Sequence, residues 1–145
     1  MKNISRAIAL AGLVLLVTVS SVYAQYGQQT LVNIPFNFTV GEKALPAGKY
    51  LIRRNRADSA VVWIIQNNET GESAMVLTRD KRAYKTQEKA KFVFRKYDDL
   101  YFLSEFWAAG TISGREIQVT DRERALAKSL ARAPEVHVLI DRGGR

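Results

Sequence analysis

At 145 residues the chain is long enough for one domain with its own core, and its lack of cysteine excludes a disulfide framework, a lipidated cysteine and a sulfur-ligated zinc site. A single histidine, His137, argues against a zinc or copper centre of any usual kind, and no cofactor motif is present. A hydrophobic content of 47% without low-complexity stretches excludes a disordered chain, and the net charge of +8 suits an anionic partner.

The first 24 residues read as a cleavable secretory signal peptide. Lys2 and Arg6 form the positive flank, and Ala7 to Val19 is apolar apart from Gly12 and Thr18. That run is shorter than the roughly 20 apolar residues of a membrane span. Ser20 and Ser21 break it, and Val22-Tyr23-Ala24 offers small residues where a signal peptidase reads, so cleavage is expected after Ala24; an uncleaved anchor is the alternative. Removing 24 of 145 residues leaves 121, with 20 Lys plus Arg against 14 Asp plus Glu, or +6. The expected layout is a tail over 25–30, one β-rich domain over 31–141 and a tail over 142–145, with the product periplasmic or extracellular and not transmembrane after cleavage.

Period two dominates the mature chain. Val32, Ile34, Phe36, Phe38 and Val40 alternate with polar residues or Pro35, predicting one strand with one buried face. Pro35 cannot donate a ladder hydrogen bond, which places this strand at an edge or at a bulge. Gly41 and Leu45-Pro46-Ala47-Gly48 turn the chain, and a strand re-enters at Tyr50. The uninterrupted apolar run Ala60 to Ile65 predicts a central strand buried on both faces, answered across the Asn67–Gly71 turn by Ser73 to Thr78. Arg79 to Lys91 is polar and is expected as an exposed loop. A second hairpin follows, from Phe92 through the Asp98-Asp99 turn to Leu100–Trp107, bringing most of the aromatics together.

Thr120 and Glu123 form a capping box, so a helix is expected from Asp121 to about Arg132, with Leu126 and Leu130 as its buried stripe. Pro134 ends it, and Val136, Val138 and Ile140 mark a closing strand. About seven or eight short strands with one late helix predict a mainly β fold, an antiparallel barrel or sandwich.

The segments Ile34-Pro35-Phe36-Asn37-Phe38-Thr39-Val40-Gly41, Leu45-Pro46-Ala47-Gly48-Lys49-Tyr50, Phe102-Leu103-Ser104-Glu105-Phe106-Trp107 and Gly114-Arg115-Glu116 also carry a resemblance. Together with the charged Asp121-Arg122-Glu123-Arg124, they resemble a family of small exported β-rich proteins common in acidobacteria. The family has no established activity, so the resemblance implies export and no catalytic residue.

Catalytic readings are thin. Asp98-Asp99 is the only adjacent acidic pair and reads as an ordinary turn. In Gly110-Thr111-Ile112-Ser113-Gly114 the serine stands one place late for a nucleophile elbow. Ser104 or Ser113 with His137 and Asp141 has triad composition, but nothing in the sequence joins them. Two carboxylates suffice for glycoside hydrolysis. Glu105, alone in the apolar run Leu100–Trp107, is either a group whose pKa apolar neighbours raise or a carboxylate paired with a residue such as Arg95.

A binding module is the leading expectation, with an apolar cavity or an exposed aromatic patch around Tyr97, Tyr101 and Trp107, and Glu105 beside them, as its ligand contact. Arg79, Arg82 and Lys85 in the loop, with the helical ridge Arg124, Lys128 and Arg132, could face an anionic partner. The basic loop with Tyr84, Phe92 and Phe94 has the composition of a nucleic-acid platform, but export argues against that partner. The expected partner is an anionic or amphipathic envelope lipid or glycan, or another protein. A small extracytoplasmic hydrolase is the alternative. A structural envelope subunit, joined through an open Val32–Val40 edge, is a third.

Overall fold

The computed structural model describes residues 29–55 and 61–141; the expected signal peptide with its cleavage position, and the last four residues, lie outside them. Among the described residues ten strands and one helix follow in order: β1 Gln29–Ile34, β2 Phe38–Val40, β3 Lys43–Leu45, β4 Gly48–Arg54, β5 Val62–Asn67, β6 Ser73–Arg82, β7 Lys91–Tyr97, β8 Leu100–Trp107, β9 Ser113–Ile117, α1 Asp121–Leu130 and β10 Glu135–Ile140. The fold is mainly β and does not close into a barrel. β1 pairs only with β4, and β10 only with β7.

The architecture is that of a sandwich whose two layers share β6. Its first half, Ser73–Leu77, pairs with β5 and continues through β4 to β1. Its second half, Thr78–Arg82, pairs with β9, which leads through β8 and β7 to β10. All of these pairings are antiparallel. The exception is a short parallel register of β2 on β8, at Thr39 and Phe102. Arg79–Arg82 therefore belongs to a strand, and only Ala83–Ala90 is irregular.

The expected strand from Val32 to Val40 is two strands. Pro35 breaks the ladder, and the chain passes from β1 in one layer to β2 in the other. Both halves still bury alternate residues, because the core lies between the layers: Val32, Ile34, Phe38 and Val40 all face it. β1 begins at Gln29, two residues before the expected domain start.

β8 carries buried residues on both faces, and a bulge explains how. Val93 opposes Glu105 but Phe94 opposes Leu103, so Ser104 is an extra residue between them. Its hydroxyl donates to the Val93 carbonyl oxygen at 2.9 Å. Beyond the bulge the alternation shifts, so that Leu103 and Phe106 both enter the core while Phe102 and Trp107 lie on the outer face. The hairpin aromatics are thus divided. Phe92, Phe94 and Phe106 are inside, whereas Tyr97 and Phe102 meet edge to face outside, with ring centroids 5.7 Å apart.

The helix starts as expected and then departs from expectation. The Thr120 hydroxyl oxygen accepts from the Glu123 backbone N–H at 3.2 Å, but the Glu123 carboxylate turns away to the sheet. Helical backbone ends at Leu130, since Ala131 takes a left-handed conformation (φ 49°) that usually falls to glycine. Leu126 is only half-buried and Leu130 is exposed; Glu123 is the buried residue of this helix.

Candidate binding surface

The expected ligand patch is built into the fold. Tyr97 and Trp107 are 5% and 4% exposed. Tyr97 packs on Phe102; burial first, and then the Glu123 charge, push its phenol above the ordinary tyrosine range. The Trp107 indole lies over Gly114, and its Nε1 donates to Glu105 Oε2 at 3.0 Å. Tyr101 stacks on Phe36 at 4.1 Å, at the margin of the core, with Lys96 Nζ 5.7 Å from its ring centroid.

Glu105 is paired, with Lys81 rather than Arg95. Lys81 Nζ lies 2.5 Å from Glu105 Oε1 and 3.5 Å from Glu116 Oε1, and the hydrogen bond to Glu105 raises the lysine pKa. Both Glu105 oxygens are therefore occupied within the protein. Arg95 instead makes a two-pronged bond to Glu123, Nε to Oε1 at 2.5 Å and Nη2 to Oε2 at 3.1 Å.

The other chemical candidates have structural tasks. Ser104 closes the bulge, and His137 packs edge-on against Phe36 and Tyr101. Asp98 occupies the hairpin turn with a left-handed backbone (φ 51°), 3.5 Å from Arg132. Among the described residues no group of three potential ligands could hold a metal ion. Phe92 and Phe94 are core residues, which leaves Tyr84 as the exposed aromatic of the basic loop.

The basic residues do not form one patch. Arg79 and Arg82 lie on β6, Lys85 lies in the loop after it, and all three are exposed. On the helix, Arg124 is engaged with Asp121 at 2.6 Å and Arg132 with Asp98, while Lys128 is exposed.

Two surfaces expose apolar rows: a single edge strand, β10, with Val136, Val138 and Ile140, and a broader face on the other layer. On the outer face of the β1–β4–β5–β6 layer, Leu31 opposes Leu51, Ile64 opposes Met75, and Val62 opposes Leu77. Leu31 is 52%, Met75 67% and Leu77 63% exposed, and the other three are half-buried. Six apolar side chains over four adjacent strands form a contiguous patch, of the kind that marks an interaction site. The opposite layer is covered only in part: α1 is tied to its outer face through Glu123 and Arg95, and the apolar row left open there is confined to β10.

Sequence reasoning missed the broader face although it carried the signal. The unbroken apolar run ending at Ile65 was expected to be buried on both faces. In the structure Trp63 and Ile65 are buried while Val62 and Ile64 stay on the uncovered side. No match to this chain is found among protein families, curated proteins or solved structures.

Proposed function

We propose that the protein is an exported interaction module without chemistry of its own, binding an amphipathic envelope component through the outer face of the β1–β4–β5–β6 layer. The uncovered apolar patch of Leu31, Leu51, Val62, Ile64, Met75 and Leu77 carries this reading. Export rests on the signal-peptide pattern of residues 1–24 and on the resemblance to small exported acidobacterial proteins. The polar groups that a hydrolase would need are engaged elsewhere: both Glu105 oxygens are bonded, and the Ser104 hydroxyl is held by the backbone.

Two measurements test the reading on protein made from the full coding sequence. Mass spectrometry of the amino terminus should show a chain beginning at Gln25, and a retained Met1 would overturn export. The wild type should copurify with an envelope component that a Met75→Gln/Leu77→Gln variant of equal thermal stability loses. Equal recovery by both proteins would overturn the assignment of the binding face.

A further inference from the structure

Cations are distributed unequally between the two layers. Around the β7–β8–β9 side most of the central ones are committed: Lys81 to Glu105 and Glu116, Arg95 to Glu123, Arg115 to Asp80; Arg82, at the end of β6, is exposed. Around the apolar face of the other layer they are not. Arg53 stands on that face between Gln29 and Ile64, and Lys49 lies at its end opposite Asn33. Arg79 follows Met75 and Leu77 in the outward row of β6, at the border of the face, on the half of the strand that pairs with β9. None of the three has a carboxylate within ion-pair distance among the described residues. Glu116 lies across from Arg79, but its carboxylate goes to Lys81. No outward position of β1, β4, β5 or β6 as far as Arg79 is an acid; Glu69 and Glu72 sit at or beside the β5–β6 turn, beyond one end of the face.

An apolar centre bordered by unpaired cations matches one kind of surface, apolar below and negatively charged at its rim. We propose that this face docks on an anionic lipid bilayer, with Leu31, Met75 and Leu77 entering the headgroup boundary and Arg53 and Arg79 meeting lipid phosphates. The inference rests on the interaction-module reading and names its partner. A second copy suits the face less well, since it would bring the same unpaired cations against the first. A flat array of flexible Leu and Met tips is suited to a fluid surface rather than to a fitted protein pocket.

Flotation with vesicles tests this, using the chain as the cell processes it, its amino terminus mapped so that residues 1–24 cannot anchor it. Vesicles of equal parts phosphatidylglycerol and phosphatidylcholine should carry the wild type, and pure phosphatidylcholine should carry far less. Arg53→Gln/Arg79→Gln should weaken binding to the anionic vesicles by about thirty-fold, the effect of two cations at such a surface. Met75→Gln/Leu77→Gln should abolish it. These side chains are exposed or half-buried, and an unchanged melting temperature confirms that each variant is folded.

Equal flotation of all three proteins, or none by the wild type, would overturn the bilayer assignment. A dimer in light scattering that only the Met75/Leu77 variant loses would assign the face to a second copy and overturn it too. If vesicles fail while an envelope protein still copurifies through the face, the interaction-module reading survives and its lipid partner does not. If neither depends on the face, both fall.

Discussion

Gly114 has no room for a side chain. A Cβ there would overlap the six-membered ring of Trp107, which lies directly over the backbone. Trp107 is fixed from its other side by the bond to Glu105, and Lys91 Nζ sits 4.9 Å from its ring centroid, so the ring cannot yield cheaply. The segments Phe102–Trp107 and Gly114–Glu116, singled out in the sequence, are therefore one packing unit. The other two behave alike. Asn37 Oδ1 accepts from the Ala47 N–H at 3.0 Å, Tyr50 donates to the Pro46 carbonyl oxygen at 2.6 Å, and Gly48 leaves space for the Asn67 amide. In this chain these segments pack the fold and do not converge on a site. Gly114→Ala should accordingly destabilise the protein by about 2 kcal/mol, the cost of overpacking a filled contact. Chemical denaturation followed by tryptophan fluorescence reads this, and a loss within about 0.5 kcal/mol would show that the indole is free to move.

At the scale of elements, the helix is held by charge where an apolar stripe was expected. Glu123 is 2% exposed, and its bidentate partner Arg95 projects from the middle of β7. Burying two charges is costly, and removing one of them leaves the other desolvated without compensation. Glu123→Gln should cost about 3 kcal/mol or release the helix from the sheet. Hydrogen exchange across 121–130 separates the two: faster exchange confined to the helix reports undocking, and unchanged exchange with unchanged stability would mean that the pair contributes nothing. The capping box made the helix start legible, because Thr120 needs only local geometry. The tertiary partner of Glu123 was not legible, since its carboxylate was as well suited to the local box as to Arg95. β8 was obscured in the same way. Its bulge at Ser104 reverses the alternation within one strand, so period two could not say which aromatics were inside. The strand from Val32 to Val40 shows the reverse case: its alternation was read correctly, while the change of layer at Pro35 left no mark on it.

For the molecule as a whole, the sequence indicated the core better than the surface. An apolar residue on a strand announces burial, and only the absence of a covering element reveals that Val62, Ile64, Met75 and Leu77 stay partly or largely exposed. The same two-layer packing sets the response to alkali. Tyr50 in one layer is pushed above the ordinary tyrosine range by burial, with Glu72 adding to the effect and the Asn67 hydrogen bond opposing it. Tyr97 in the other layer is raised by burial and by Glu123, and Lys81 by its bond to Glu105. All three groups hold their protons more tightly folded than unfolded. Their contribution is therefore complete below the unfolded values, about 10 for both residue types, and is lost as pH rises through the folded ones. Melting temperature should be level from neutral pH to about 9.5 and then fall, as the unfolded chain releases protons that the native state retains. Tyr97→Phe removes one of those protons and should make the decline shallower. A melting temperature that rises between about pH 10 and 11 would contradict the sign of all three shifts, and an unaltered slope in Tyr97→Phe would remove Tyr97 from the account.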